Sequence, residues 1–267
     1  MKINLNFENS RAFNLGKKFL EQNAISIRLA IFEIRRKSLN TFLGWTWGLI
    51  NPILQVLIVM FIMTYIAKSQ MPNLPIWLMS SMATWLFMQS SILKTSNSYV
   101  HRRGLIQNSD VEMRSLVKAD VLSELFVVIP FYVLALIFVL VNGDAKASLM
   151  LIPILIVIVF MFSYGVGLLV APLTVWFRDL PYVLGLMLQV TFWITPIAYA
   201  RLDLSGPLRI LIDYNPMTYL LELTQEIFYK QEVRVHILLT AFLISLAALV
   251  IGNSLSNKSA RKAAIYL

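Results

Sequence analysis

The 267-residue chain is 58% hydrophobic and 14% charged, with mean hydropathy +0.71, far from the soluble balance of about 45–50% apolar and about 25% charged. Composition therefore predicts an integral membrane protein, with room for one membrane domain and no separate soluble one. The absence of cysteine excludes thiol catalysis, disulfides and Cys-ligated metal, and the net charge of +9 is confined to segments flanking apolar runs, which points to orientation and anionic headgroups rather than nucleic acid.

Residues 1–38 hold no apolar core long enough for a cleavable signal. On a helical wheel, Ala12, Phe13, Leu15, Phe19 and Leu20 fill one arc and Arg11, Lys17, Lys18 and Glu21 the other, so residues 11–21 are expected to form an amphipathic helix lying on a membrane surface. A second piece, residues 25–38, mixes apolar residues with Arg28, Arg35, Arg36 and Lys37 and is expected to touch both lipid and protein.

From Ser38 to Ala67 there are 30 residues without a charge, more than a hydrocarbon core of about 30 Å requires at about 1.5 Å per residue. Trp45 and Trp47 belong at headgroup level, which leaves a first span of about 49–67. Pro72 and Pro75 mark a short return into a second span of about 75–93. The polar connector 94–120 carries Ser109-x-x-Glu112, a capping-box pattern expected to start a helix that runs into a third span of about 121–141, with Asp120 and Glu124 at its entry.

After the turn at Asn142-Gly143-Asp144, the uncharged run 147–177 is again too long, and Pro172 is expected to end a fourth span of about 149–171. Gly165-x-Gly167 within it predicts close helix approach. Arg178-Asp179 and Pro181 open a fifth span of about 180–198, and a broken segment of about 197–230 follows. Such backbone is tolerated near a bilayer only when buried in protein or lining a water-filled path. Within that segment Tyr219, Leu220, Leu223 and Ile227 recur at helical spacing opposite Glu222, Gln225 and Glu226, predicting an amphipathic helix. A sixth span of about 237–252 leads to a basic tail.

The overall expectation is an all-α membrane fold of six spans: a cytosolic interface region over 1–48 and a spanning domain over 49–267. Of the lysines and arginines, 17 fall on the side of both termini and 6 on the other, which places both termini in the cytosol.

No G-x-S-x-G, H-E-x-x-H or G-x-x-x-x-G-K-[ST] pattern occurs, so neither an enzyme nor a nucleotide site is expected in this chain. His101 and His236 stand apart, and no metal site is expected. With no charge at mid-membrane, a proton relay is disfavoured and energy must come from elsewhere. The spans are rich in aromatics, among them Tyr65, Trp85, Phe87, Tyr132, Tyr164, Phe192 and Trp193. If several share an interior, they form a stacking lining for sugar rings; otherwise they face lipid or pack the core.

Four patches in order, Leu43 to Gln55, Asn97 to Ser109, Trp176 to Tyr199 and Tyr214 to Phe228, resemble the membrane subunit of type-2 ABC exporters, with the polysaccharide branch (lipid-linked O antigen, capsule or teichoic acid) most similar. The resemblance implies a homodimer in the bacterial inner membrane, each subunit docked on a separate ATPase that binds ATP and Mg. It implies coupling elements at Arg102, Arg103, Arg178 and Asp179, outward re-entrant helices over 197–230, and no cofactor in this chain. Where family members carry a proline after the basic part of the first cytosolic loop, this chain has Ser109-Asp-Val-Glu-Met. Arg28, Arg35, Arg36 and Lys37 are expected either to meet a lipid diphosphate, since guanidinium groups grip phosphate oxygens bidentately, or to be positive-inside charges with no ligand. The competing readings are a drug or lipid exporter of the same class, a membrane-embedded glycan-assembly transferase, and a scaffold without transport.

Overall fold

The computed structural model describes residues 11–38, 46–142, 146–199 and 206–266, and every regular element among them is helical. In chain order these are α1 (Arg11–Ser38), α2 (Trp47–Phe61, continued by a π turn Ile62–Ile66), α3 (Leu74–Ser96), α4 (Ser98–His101), α5 (Arg103–Asn108) and α6 (Met113–Val141). There follow α7 (Ile152–Trp176, entered through a 3-10 turn Ala147–Leu151), α8 (Leu180–Ile194), α9 (Pro207–Tyr214), α10 (Pro216–Gln225, continued by a π turn Glu226–Lys230) and α11 (Val235–Tyr266). Met113–Val141, Ala147–Trp176 and Val235–Ser256 are long and apolar enough to cross a membrane, and Ile50–Ile66 and Leu180–Ile194 are shorter apolar helices.

α3 is the axis of the bundle, packing on α2, α6, α7, α8 and α10. Its sequence explains the position: Ser80, Ser81, Thr84, Ser91, Thr95 and Ser96 are all fully buried, and small residues let neighbouring backbones close in. Several of these hydroxyls are satisfied within the helix, as Ser80 Oγ donates to Ile76 O (2.8 Å) and Thr95 Oγ1 to Ser91 O (2.7 Å). Thr84 instead reaches outward, 2.8 Å from both Tyr132 Oη and Thr224 Oγ1, and so ties α3 to α6 and α10. The apolar core, including Trp77, Leu78, Phe87, Phe131, Leu155, Leu220 and Phe228, surrounds this axis.

α7 and α11 form the closest helix pair. Gly165 rests on the backbone of Ala248 and Leu249, and Gly252 on the carbonyl of Gly165, where a Cβ has no space at either position. The expected close approach at Gly165-x-Gly167 is therefore present, with Gly167 seated against Thr95 and Val117.

Several expectations are corrected. Residues 11–38 form one helix, not two pieces; the side chains of 11–19 lie outside the described residues, as does that of Lys37. Pro172 does not stop α7, which continues to Trp176, because a proline inside a packed apolar helix costs one hydrogen bond without ending the spiral. α8 ends at Ile194 rather than 198, where Thr195-Pro196 turns the chain into extended backbone.

The capping box does not form either. Ser109 Oγ donates back to Leu105 O at 2.5 Å, and no side chain local to Glu112 caps α6. The acceptor comes from α1: Gln22 Oε1 receives the Glu112 backbone N–H (3.2 Å) and the Ser115 hydroxyl (2.9 Å). Finally, the polar side of α10 is not exposed. Glu222, Gln225 and Glu226 are buried along with Leu220 and Leu223, because each finds an internal partner.

Candidate functional site: two polar centres and an aromatic cavity

Helix α1 is amphipathic in an inverted sense. Its polar residues Gln22, Asn23, Ser26 and Glu33 face the bundle, where Lys118 Nζ donates to Asn23 Oδ1 (2.6 Å), while Leu20, Ile27, Ile31 and Phe32 are exposed beside Arg28, Arg35 and Arg36. Apolar side chains turned outward next to arginines suit a helix half-sunk in a headgroup layer.

Around Glu33 lies a network of acidic and basic side chains from α1, α3, α6 and the α4–α5 junction. Arg102 (α4–α5 junction) grips Asp120 (α6) bidentately, Nη2 to Oδ1 at 2.6 Å and Nη1 to Oδ2 at 2.8 Å, and donates to Ser98 Oγ (3.0 Å). The same Nη2 reaches Glu33 Oε1 at 3.1 Å. Lys94 (α3) donates to Ser123 Oγ (2.6 Å) and stands 3.1 Å from Glu124 and 3.9 Å from Glu33. Burial depresses the ionisation of Arg102, but the hydrogen bonds and charge of Asp120, with Glu33 adding to them, outweigh it and hold the guanidinium above its usual range. Beside the network opens a cavity of about 500 Å³ bounded by Glu33, Arg36, Lys94, His101, Arg102 and Glu124, among others.

A second polar centre lies at the opposite end of the bundle. Glu226, fully buried, accepts the Arg234 backbone N–H (3.0 Å) and the Arg234 Nε–H, while Arg234 Nη2 donates to Glu222. The π turn Glu226–Lys230 and left-handed Gln231 (φ 54°) reverse the chain so that Arg234, just before α11, folds back onto α10. Gln225 completes the anchorage, donating to Pro196 O (2.7 Å) and Ser81 Oγ (3.1 Å).

Between α2, α3 and α8 lies a cavity of about 450 Å³. Trp85, Phe192 and Trp193 meet there edge to face, with ring centroids 5.6 Å (Trp85 to Phe192) and 5.1 Å (Phe192 to Trp193) apart. Three amides, Gln55, Gln89 and Gln189, complete the lining, and Trp85 Nε1 donates to Gln89 Oε1 at 2.9 Å. Gln55 and Gln189 are exposed among Ile53, Leu54, Leu57, Ile58, Leu186, Met187, Val190 and Trp193. Flat rings beside amide donors and acceptors suit a ligand with apolar faces and a hydroxyl rim.

Of the seven aromatics singled out in the sequence, the structure thus brings together Trp85, Phe192 and Trp193. Phe87 is fully buried in the core, Tyr132 stacks on Phe228 (6.1 Å), Tyr164 on Phe160 (6.1 Å), and Tyr65 is 69% exposed beside Phe61. Arg103, Arg178 and Asp179 are exposed, whereas Arg102 is committed to Asp120 and Glu33. Arg28, Arg35 and Arg36 are exposed along α1. Sequence reasoning missed the three glutamines, although uncharged polar residues inside apolar runs were a usable signal, and it missed Glu33 as the partner of Arg102. Among the described residues no group of acidic or histidine side chains is placed to hold a metal ion.

No family model matches the chain. Over 93% of its length it is 25% identical to an O-antigen export system permease protein of Klebsiella pneumoniae, covering 96% of that protein. An O-antigen export system permease protein of Myxococcus xanthus is 24% identical over 81% of this chain and 84% of its own length. A polysialic acid transport protein of Escherichia coli is 23% identical over 74% of this chain and 78% of its own. The resemblance to permeases of polysaccharide export, read from four patches of sequence, therefore extends over most of the chain.

Proposed function

We propose that the chain is the membrane subunit of an ATP-driven exporter that moves a lipid-linked polysaccharide, O antigen being the cargo most consistent with the relatives, across the bacterial inner membrane. Work comes from a separate ATPase, since the sequence has no phosphate-binding loop. The reading includes six spans, with α8 in the fifth, an outward re-entrant segment over about 197–230 that contains α9 and α10, both termini in the cytosol, and Arg103, Arg178 and Asp179 as the exposed surface for the ATPase. Arg28, Arg35, Arg36 and Lys37 on α1 attract the lipid diphosphate.

The observation that carries this proposal is the cavity of Trp85, Phe192, Trp193 and three glutamines. Mid-helix amides on surfaces otherwise covered by leucine, isoleucine and valine are costly against hydrocarbon, so these faces of α2 and α8 are better served by a second copy enclosing a shared path. A path lined by rings and amides takes sugars and offers no relay of ionisable groups for protons. Nothing favours the drug exporter, transferase or scaffold readings.

The test is purification of the chain with its ATPase in lipid nanodiscs. Lipid-linked glycan is expected to change ATP turnover, and a Trp193→Ala chain to lose that response. Hydrolysis by the isolated chain, or a turnover indifferent to glycan, overturns the proposal.

A further inference from the structure

Three cations converge on one carboxylate at the α1 end of the bundle. Glu33 accepts from Arg102 Nη2 at 3.1 Å, lies 3.4 Å from Arg36 Nη2, and is 3.9 Å from Lys94 Nζ. Arg102 is already paired in both N–H directions with Asp120, and Lys94 with Glu124, so Glu33 is an additional anion laid over two existing ion pairs. Its carboxylate is nearly buried, yet it sits at the edge of the cavity of about 500 Å³, whose wall also offers Ser90 and Asn97.

Glu33 is also the one acidic member of the network carried by α1, with Arg36 one turn further along the same helix. That helix is joined to the bundle through polar contacts at Gln22, Asn23 and Glu33 and the buried Ala30, while its large apolar residues Leu20, Ile27, Ile31 and Phe32 are turned away. Polar contacts exchange for water at small net cost, on the order of 1 kcal/mol each. Removal of Glu33 alone leaves Arg36, Lys94 and Arg102 facing Asp120 and Glu124, a surplus of positive charge beside an open cavity at the level where α1 meets headgroups.

We propose that Glu33 is a tethered stand-in for an anionic ligand: in this state it occupies a seat formed by Arg36, Lys94 and Arg102, and a lipid-borne phosphate or diphosphate takes that seat by displacing it. The contact is autoinhibitory, since the seat opens only when the ligand outcompetes a carboxylate held at high local concentration. This rests on the export reading only for the identity of the ligand. The same phosphate chemistry is carried by a polyprenyl diphosphate and by a bulk anionic phospholipid.

The experiment uses the full-length chain in phosphatidylcholine nanodiscs, with bound lipid quantified by native mass spectrometry as a polyprenyl diphosphate is titrated in. If Glu33 fills the seat in about nine molecules of ten, Glu33→Gln is expected to tighten apparent binding by roughly tenfold. Arg36→Gln, whose side chain is 63% exposed and so dispensable for folding, is expected to weaken it roughly threefold, as loss of one exposed ion contact does. In the unmodified chain, binding is expected to raise amide hydrogen exchange along residues 29–36 as Glu33 is released.

Equal or weaker binding by folded Glu33→Gln overturns the inference, as does Arg36→Gln binding like the parent. Should Glu33→Gln fail to fold, unchanged exchange in the unmodified chain on ligand binding overturns it by itself. A parallel arm replaces the diphosphate with phosphatidylglycerol. If that lipid alone displaces Glu33, the seat stands with bulk lipid as its ligand, and only the assignment of the seat to export cargo falls.

Discussion

The carbonyl oxygen of Gly165 occupies the place that a Cβ on Gly252 needs, so α7 and α11 touch backbone to backbone. Both helices run from the Arg234 end of the bundle toward Tyr99, and contact at this distance holds them as a single rib. Gly252→Ala is expected to force the pair apart and cost about 2 kcal/mol, the range found for overpacked sites. Thermal unfolding of the purified chain in detergent measures it. Gly104→Ala in α5, where nothing lies within 4 Å, is the control and leaves the midpoint unchanged or slightly higher.

Helix α6 takes its N-terminal acceptor from another helix, which makes Gln22 a testable joint. Gln22→Ala is expected to cost about 1 kcal/mol, as loss of an N-cap does. The diagnostic readout is local: amide exchange at 112–115 rises, while amides deep in α6 stay protected. Gln22→Glu retains an acceptor and is expected to recover most of that protection.

Asp120 is 1% exposed and holds Arg102 by two hydrogen bonds. Asp120→Asn leaves a buried guanidinium with its main counter-ion gone, and a loss on the order of 3 kcal/mol is expected in thermal or denaturant unfolding. Because the two residues act as a unit, Asp120→Asn combined with Arg102→Gln is expected to cost clearly less than the sum of the single changes.

Trp193 is 61% exposed, so its removal spares the core. Trp193→Ala is expected to leave the unfolding midpoint in place but to lower glycan export roughly fivefold, the equivalent of ~1 kcal/mol of ring stacking. Surface glycan in cells carrying the variant as their only copy measures this. Phe87→Ala is expected to behave oppositely: Phe87 is wholly buried outside the cavity, and its loss costs about 3–5 kcal/mol of stability before any effect on transport.

At the opposite end, Glu226→Gln removes the charge that receives both the backbone and side chain of Arg234. A loss of about 1–2 kcal/mol is expected, lower than for a fully buried pair because Arg234 is 44% exposed. Amide exchange over 231–236 reads the loosening directly. Lys230→Ala, whose ammonium is 3.9 Å from Glu226 and partly solvated, changes little.

The parts of the fold legible in the sequence are those governed by local physics. Uncharged runs located α2, α6, α7, α8 and α11, and Gly165-x-Gly167 announced the close packing on α11. Boundaries failed where tertiary contacts decide them. Ser109-x-x-Glu112 carries a valid capping signal, yet Gln22, 90 residues away in sequence, supplies the acceptor. Pro172 carries a valid stop signal, yet neighbouring helices stabilise α7 beyond it.

The site was legible by residue type and less so by placement. Aromatics could be counted along the spans, but only the rotation of α3, α6 and α8 decides that Trp85 and Phe192 share a cavity while Phe87 and Tyr132 pack in the core. α10 shows the same limit. Alternation at helical spacing normally separates a wet face from a dry one, and here Glu222, Gln225 and Glu226 are enclosed because Arg234, Ser81 and Pro196 O meet them. Periodicity reports that two faces differ and is silent on what covers each.

The inverted amphipathicity of α1 bears on how the molecule is assembled. The ribosome completes α1 long before its polar partners, since Arg102, Glu112, Ser115 and Lys118 emerge some 70 to 95 residues later. On the reading proposed above, in which α1 lies in a headgroup layer, only its exposed apolar side has a surface to bind until then, namely the lipid. The helix therefore waits on the bilayer as a free float during synthesis and locks onto the bundle last among its own contacts, so that damage to the residue 102–118 segment should strand it there in an otherwise inserted polypeptide.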